Sequence, residues 1–240
     1  MSLLTIAQNV AREVGFEPPA FISGNTDATA RQLLALANRE GKILSKRNNW
    51  SVLQKEYVFN TVANQESYDL PNDFNRFLDD TIWDRSALRP LEGPASAQIW
   101  QARKSGGAAY GGVYSRYRVK GSVSGSLKFY VNPAPLVSGQ SLAFEYVSSH
   151  WCKNSLSGLT QSEWLDDSDE SLLPEELISF GVTWRFLLAK GLEYAPMFAE
   201  YENQVLQYMA RDGGMLSFGQ NRASPGLISP HNFPYDNFGQ

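Results

Sequence analysis

The triplet His150-Trp151-Cys152 contains the only cysteine and one of the two histidines in the sequence, and it is the first candidate for chemistry. A histidine beside a thiol can accept its proton and produce a nucleophilic thiolate. Adjacent side chains on a strand point to opposite faces, and here one residue separates the pair at the end of a predicted strand. We therefore expect His150 and Cys152 to have a structural role rather than a catalytic one.

A glycine cluster between Gly106 and Gly112 has two glycines at the spacing of a phosphate-binding loop. Such a loop needs a lysine followed by serine or threonine, because the ammonium and hydroxyl groups hold the phosphates and the metal ion. Gly112 and Val113 occupy these positions here. The cluster therefore predicts a loop without a phosphate site.

The acidic run Asp166-Asp167-Ser168-Asp169-Glu170 has the oxygen ligands that a hard cation prefers. It lacks the central glycine of an EF-hand loop, and Ile178 stands where the closing glutamate is needed. We interpret the run as an acidic helix entrance or as a contact for a neighbour's basic patch. The candidate inter-subunit charge contacts are Lys42, Lys46, Arg47, Asp166, Asp167, Asp169 and Glu170. We expect no catalytic residue, metal or cofactor.

The composition is that of a globular protein, with 42% hydrophobic and 19% charged residues among 240. A single cysteine excludes an internal disulfide. The N-terminal residues lack the basic and apolar regions of a signal peptide, and no apolar run predicts a membrane span. The net charge of -4, from 21 basic and 25 acidic residues, argues against tight DNA binding and allows only transient contact with passing DNA.

Four segments have the apolar periodicity of helices. The first ends at Gly15, and the second begins at Thr26-Asp27, which is a good N-cap pair. The third follows Pro174 and the fourth runs from Pro196 to Gly213-Gly214. These segments form a helix pair at each end of the chain.

The region between the helix pairs alternates instead with the period of β-strands. Strands are predicted around Tyr57–Thr61, Tyr114–Val119, Leu127–Val131 and Leu142–Val147, with turn-rich joints between them. The glycine-containing stretch 94–112 is interpreted as a mobile loop. The fold class is therefore α+β, with an antiparallel β domain inserted between helix pairs that pack together. The predicted domains are a helical body (1–49 and 172–212), an inserted β domain (50–171) and an extended C-terminal arm (213–240).

The C-terminal arm has no period of either kind, but it is rich in apolar and aromatic side chains. A disordered tail normally lacks aromatics, because they have no core to enter. We therefore prefer an arm that inserts anchors into pockets on a partner over a floppy end. The anchors are Phe218, Leu227, Ile228, Phe233, Tyr235 and Phe238.

The order of these features resembles the tail tubular protein A-like head-to-tail adaptors of short-tailed bacteriophages and prophages. The resemblance extends over nearly the whole chain but is carried by short stretches. They are the first helix with Gly15, then 27–50 ending in Arg47-Asn48-Asn49-Trp50, 68–74, 117–135, 144–146, Leu173-Pro174-Glu175-Glu176, Trp184-Arg185 and Tyr201-Glu202.

The resemblance implies a non-enzymatic virion protein in the phage neck, assembled in the host cytoplasm. It implies a ring, expected to be a dodecamer, that sits beneath the portal and continues its DNA channel. The implied partners are other copies of the chain, the portal protein and a tail hub or nozzle protein, with roles in tail assembly and DNA ejection. In the related adaptors the C-terminal segment docks on the portal, which makes the portal the expected partner of the arm.

The main alternative is a carbohydrate- or ligand-binding β-sandwich module with helical flanks. Its candidate stacking residues are Trp83, Trp100, Tyr110 and Tyr114, near the glycine-rich loop. Such a module has little need for helix pairs at both ends, and it leaves the aromatic arm unexplained. An enzyme of another type is the third class, and the missing acid–base cluster makes it the weakest interpretation.

Overall fold

A computed structural model of the chain describes residues 2–105, 116–122 and 125–213. These residues form two compact units. The first unit contains residues 2–54 and 147–213, and the second contains the described residues between 55 and 146. The predicted α+β fold with antiparallel sheets is confirmed, whereas residues 214–240 of the predicted C-terminal arm lie outside the described residues.

The described residues contain five α-helices and eleven strands, several of them very short. The helices are α1 (Leu3–Val14), α2 (Ala28–Arg47), α3 (Ala97–Lys104), α4 (Glu175–Lys190) and α5 (Ala195–Asp212). The strands are β1 (Gln54–Asn60), β2 (Ser67–Asp69), β3 (Phe74–Phe77), β4 (Trp83–Asp84), β5 (Arg89–Pro90), β6 (Arg116–Gly121), β7 (Leu127–Asn132), β8 (Ser141–Ser148), β9 (Cys152–Lys153), β10 (Thr160–Gln161) and β11 (Glu170–Ser171).

The ends of the helices follow from local capping. The Asp27 carboxylate accepts hydrogen bonds from the backbone N–H groups of Thr29 and Ala30 at 2.8 and 3.0 Å, which satisfies donors that the first turn of α2 leaves open. Gly15 ends α1 with a φ of 89°, a left-handed conformation that glycine adopts without steric cost. The boundaries of α1 and α2 thus agree with the sequence signals.

The first unit is a layer of helices around α4, which packs against α1, α2 and α5. The apolar stripes of these helices face one another and form the core. Its fully buried members include Leu3, Ile6 and Val10 of α1, Leu33 and Leu44 of α2, Leu177, Ile178 and Val182 of α4, and Tyr201 and Val205 of α5. The expected packing of the two helix pairs is present.

Two glycines allow neighbouring groups to approach α2 and α4 closely. A Cβ on Gly41 would overlap the indole ring of Trp151, and a Cβ on Gly181 would overlap the carboxyl group of Glu40. Gly41 belongs to α2 and Gly181 to α4. The helical unit therefore depends on two positions without a side chain, despite the lower helix propensity of glycine.

Residues 147–171 belong to the helical unit and not to the inserted β domain, which was predicted to extend over 50–171. Trp151 and Trp164 explain this difference, because both side chains are buried there with ring centroids 5.2 Å apart. The backbone N–H of Trp164 also donates to Asn38 Oδ1 of α2 at 2.8 Å. This segment contains the short antiparallel sheet β10-β9-β11.

The second unit is built from two sheets. One has the order β1-β8-β4-β5, with β3 also paired to β8, and the other has the order β2-β7-β6. Their inner faces meet in an aromatic core in which Phe129 lies 5.8 Å from Phe144 and 5.4 Å from Tyr117, measured between ring centroids. Exposed and half-buried residues alternate along β1, and half-buried and buried residues alternate along Lys128–Asn132 of β7, in agreement with the predicted strands.

The stretch 94–112 was predicted to be a loop, and its first part is instead a helix. Ser96 caps α3 by accepting a hydrogen bond from the Ile99 N–H at 3.3 Å, and Trp100 anchors the helix with a side chain that is 1% exposed. Residues 106–115 lie outside the described residues. The loop prediction is therefore wrong for 97–104 and untested for the remainder.

We predict that Gly41→Ala lowers the free energy of unfolding by about 2 kcal/mol. Overpacking a core costs about 1–3 kcal/mol, and overlap with three ring atoms of the buried Trp151 places this change at the upper end. The better helix propensity of alanine offsets about 1 kcal/mol. Urea denaturation measures the difference.

Gly213→Ala is the matched control for this prediction. Gly213 ends α5 with a φ of -79°, and a Cβ there would lie 3.5 Å from the Met209 carbonyl oxygen, which is an ordinary contact. Its stability should stay within about 0.5 kcal/mol of the wild type. Equal losses in the two variants would contradict the close approach of Trp151 to α2.

Candidate functional site

The structure gives Cys152 and His150 separate environments. Cys152 is fully buried, and its sulfur atom lies 3.2 Å from the carbonyl oxygens of Gln161 and Glu163, which share the single thiol proton. Burial, reinforced by the charge of Asp169, raises the pKa of Cys152 to about 12. The His150 Nδ1 atom is instead 3.3 Å from the Thr160 hydroxyl. A protonated, inaccessible thiol is a packing group and cannot act as a nucleophile at neutral pH.

Two carboxylates of the acidic run hold the chain's own loops in place. Asp169 is fully buried and accepts hydrogen bonds from Asn154 Nδ2, Gln161 Nε2 and the backbone N–H groups of Leu165 and Asp166. Asp167 accepts from the N–H groups of Ile22 and Ser23, the latter at 2.7 Å. These bonds fix the loop before β11 and connect it to the segment after α1.

The remaining charges of the predicted inter-subunit set divide into paired and exposed groups. Arg47 makes a bidentate ion pair with Glu202 of α5, with N–O distances of 2.8 and 2.6 Å. Lys42 forms a half-exposed ion pair with Glu163. Lys46, Asp166 and Glu170 are exposed. The burial of Asp169 removes it from any surface, while an inter-subunit role for the exposed members stays a prediction.

Among the described residues, no group of three His, Cys, Asp or Glu side chains is arranged to hold a metal ion. None of the described helices has the length and apolar character needed to cross a membrane.

A buried polar cluster, which was not among the predicted sites, joins α2, α4 and α5. Arg185 donates to the Glu40 carboxylate and, at 2.9 Å, to the Gly181 carbonyl oxygen. The Tyr201 hydroxyl donates to the other Glu40 oxygen at 2.5 Å. Glu40 is fully buried, and Arg185 and Tyr201 are 8% and 1% exposed. The cluster thus provides a hydrogen-bond partner for each oxygen of the buried Glu40 carboxylate.

The burial of this cluster raises the pKa of both Glu40 and Tyr201. Burial raises the pKa of Glu40 above its usual value, against the opposing influence of Arg185 and of the Tyr201 hydrogen bond. Burial and the adjacent Glu40 raise the pKa of Tyr201 to about 12. The Arg185 guanidinium also lies 4.2 Å from the centroid of the Trp184 ring, a cation–π contact that contributes further to its placement.

The signal for this cluster is present in the sequence. Glu40 lies three residues after Ala37 and four before Leu44, so it occupies the buried stripe of α2. Arg185 lies four residues after Gly181 on the buried stripe of α4. A charged residue on such a stripe requires a buried partner.

The helical unit also exposes an apolar surface around the turn between α4 and α5. We call Leu188, Leu192, Tyr194 and Phe198 the turn patch, and these side chains are 47%, 51%, 37% and 39% exposed. Trp184 lies beneath it, with its ring centroid 5.0 Å from that of Phe198. Clustered exposed apolar side chains are typical of protein contact surfaces.

An open cleft of about 690 Å³ lies at the C-terminal end of α5. Its wall includes Trp50, Leu173, Pro174 and Tyr208. Arg211 and Asp212, the last two residues of α5, also line the cleft. The six anchor residues of the predicted arm lie outside the described residues.

The stacking residues of the carbohydrate-binding alternative do not form one exposed platform. Trp100 is buried against Tyr130, with ring centroids 6.4 Å apart, whereas Trp83 is half-buried on the other sheet. Tyr110 and Tyr114 lie outside the described residues. The structure therefore gives no support to a sugar-stacking surface that includes Trp100.

The sequence model of a family described as SU10 adaptor protein matches residues 1–226. A search of curated proteins found no match.

We predict that Arg185→Met lowers the free energy of unfolding by about 3–5 kcal/mol, because Glu40 would then be buried without a cation. The double variant Glu40→Met/Arg185→Met should recover part of this loss, since it leaves no buried charge. A double-mutant cycle by chemical denaturation measures both effects. Arg39→Met is the control, because Arg39 is the exposed neighbour of Glu40 on the same helix.

The pH dependence gives a further check on the same variant. Loss of Arg185 raises the pKa of Glu40 further, and a carboxyl group with a raised folded-state pKa stabilises the fold below its unfolded pKa and loses this contribution as pH rises. The deficit of Arg185→Met should therefore shrink as the pH falls to about 4. A deficit that does not change with pH would contradict the buried carboxylate.

Proposed function

The chain belongs to the SU10 adaptor protein family, a family of phage head-to-tail adaptors, and from this membership we propose that it forms a ring in the phage neck. The ring lies beneath the portal, continues its DNA channel and provides the platform to which the tail attaches. The observation that carries the proposal is the family match, which extends over residues 1–226 of 240. The family is structural and not enzymatic, and its members are components of the phage particle.

The helical unit has properties that a ring subunit requires. Its core is fixed by the Glu40–Arg185–Tyr201 cluster and by close packing at Gly41 and Gly181. Its surface carries the turn patch and the exposed charges Lys42, Lys46, Asp166 and Glu170. A ring subunit needs a rigid body together with distinct contact faces, because each copy meets two neighbours.

The proposed partners are other copies of the chain in a dodecamer, the portal protein above and a tail hub or nozzle protein below. DNA contacts the channel only in passing. A net charge of -4 gives the chain no overall attraction to the phosphate backbone, and a conduit that bound DNA tightly would slow its movement. Assembly takes place in the host cytoplasm before the neck is completed.

We predict that the phage encoding this chain produces DNA-filled heads without tails when the gene is deleted. The tail would have no platform, and resupplying the wild-type chain should restore tailed particles. Electron microscopy of purified particles, with antibody labelling of the chain, measures both the defect and the position of the protein. Tailed and infectious particles in the absence of the chain would refute the proposal.

We also predict that the arm after Gly213 joins the subunit to the portal. Ordering an arm costs about 1–2 kcal/mol per residue. Each buried apolar anchor returns about 1.5–3 kcal/mol, so binding depends on those anchors. Replacing Phe218, Leu227, Ile228, Phe233, Tyr235 and Phe238 with serine should leave a folded subunit that fails to join the portal in co-sedimentation.

The matched control for the arm replaces Gln220, Asn221, Asn232 and Asn237 with alanine. It changes four polar side chains in the same segment and retains all six apolar anchors, so portal binding should persist. Normal binding by the serine variant would show that the arm is not the docking element.

A further inference from the structure

The second unit has two outer sheet faces that differ in charge. Its sheets pack through a shared aromatic core, in which the ring centroids of Phe59 of β1 and Phe129 of β7 are 5.9 Å apart. Side chains alternate between the two sides of a strand, so the residues between core positions lie on the outer faces. Each outer face can therefore be identified from the strand sequences and the core residues.

The outer face of the larger sheet is an acidic cleft. Trp83 of β4 pairs with Ala143 of β8. Glu145 lies two residues after Ala143 on β8, so both side chains are on the same side of the sheet. A cavity of about 730 Å³ on this side is lined by Trp83, Ala143, Glu145, Glu56, Asp80 and Leu88. Arg85 neutralises Glu56 in a half-exposed ion pair, which leaves the exposed carboxylates of Asp80 and Glu145 to determine the charge of the cleft.

This cleft also has an apolar component. Leu88 is 73% exposed, and the half-buried indole ring of Trp83 lines the same cavity. Acidic groups around an exposed leucine and a tryptophan suit the ammonium or guanidinium groups of a protein surface, together with their aliphatic stems.

The outer face of the smaller sheet, extended by α3, is basic. Arg116, Arg118 and Lys120 alternate along β6 with Tyr117 and Val119, which belong to the core. The face carries six cations against three carboxylates within the described residues. They are Arg103, Lys104, Arg116, Arg118, Lys120 and Lys128 against Glu66, Asp69 and Glu92.

Lys120 lies at the centre of this basic face. Its Nζ atom is 4.7 Å from the ring centroid of Trp100 and 4.9 Å from that of Tyr130. Burial, together with the charges of Arg118 and Lys104, lowers the pKa of Lys120. The cations therefore repel one another in the isolated subunit, and a neighbouring negative surface would relieve this repulsion.

We propose that the basic face of one copy docks onto the acidic cleft of the next copy. The inference rests on the proposed ring, because a ring contact is heterologous and joins two different surfaces of the same chain. The two surfaces lie on the opposite outer faces of one pair of packed sheets, so the same contact repeats from copy to copy. Arg118 and Lys120 meet Asp80 and Glu145, and Leu88 and Trp83 pack against their aliphatic stems.

A second copy fits the basic face better than the phosphate backbone of DNA does. The acidic cleft needs a cationic partner of its own, and contact between copies satisfies both faces at once. DNA would satisfy only the basic face and would leave Leu88 exposed. DNA binding by the basic face is therefore the competing outcome of the test.

The test uses charge reversal in the full chain. Glu145→Lys in the cleft and Arg118→Glu on the basic face should each weaken self-association about tenfold or more, because like charges would then face each other. The double variant Glu145→Lys/Arg118→Glu should restore association, because the reversed charges are complementary again. Sedimentation velocity over a range of protein and salt concentrations measures association, and circular dichroism verifies the fold.

Two controls carry the same changes in charge on exposed helical positions. Glu200→Lys on α5 and Arg31→Glu on α2 should associate like the wild type. If both single reversals also associate like the wild type, or if the wild-type chain stays monomeric under all conditions, the contact is refuted. The neck position of the chain is tested separately by microscopy of particles, so the proposed function can survive this failure.

DNA binding by the basic face is measured separately. Fluorescence anisotropy with a short duplex DNA should show weak binding that disappears at moderate salt and differs little between the wild type and Arg118→Glu. If Arg118→Glu abolishes DNA binding while self-association is unchanged, the basic face is a DNA surface and the proposed contact is wrong.

Discussion

The helical unit depends on a carboxylate that has no access to water. Glu40 lies in the C-terminal half of α2, and its burial is tolerated because Arg185 of α4 and Tyr201 of α5 each bind one of its two oxygens. A buried ion pair adds little net stability but strongly penalises any arrangement that separates its members. The cluster therefore mainly makes the packing of α2, α4 and α5 specific, because these helices must keep one register for Arg185 and Tyr201 to reach Glu40. Gly181 contributes by allowing the carboxyl group to approach α4.

This constraint connects distant parts of the sequence. Glu40 and Arg185 are 145 residues apart in sequence, and the second unit is formed by residues between them. The polar contacts of Asp167 and Asp169 act in a similar way, because they hold the segment after α1 and the loop before β11 together. The helical unit is thus closed by its own contacts, and the second unit has a core of its own. The chain can therefore present contact surfaces on both units without either relying on a partner for its core.

Periodicity predicted the long elements and failed for the short ones. The stripes of α1, α2, α4 and α5 and the alternation of β1, β7 and β8 extend over enough residues to identify each type. The helix α3 has eight residues and one buried side chain, Trp100, so its period is too short to detect. The strands β9 to β11 have two residues each, and their position depends on where Trp151 and Trp164 are buried. For the candidate contacts, the sequence identified charged residues but not their partners, because pairs such as Arg47 and Glu202 exist only after the helices pack.

The state of Cys152 has a consequence for a particle that persists outside the cell. There the surroundings are oxidising, and an accessible thiolate would be converted to sulfenic acid or would cross-link neighbouring copies. Cys152 is the only cysteine, it is fully buried and its thiol remains protonated, so neither reaction can begin at its sulfur atom. The same property benefits the experimenter. A cysteine introduced on the surface becomes the single reactive position for a maleimide dye or spin label, and no native residue has to be removed first.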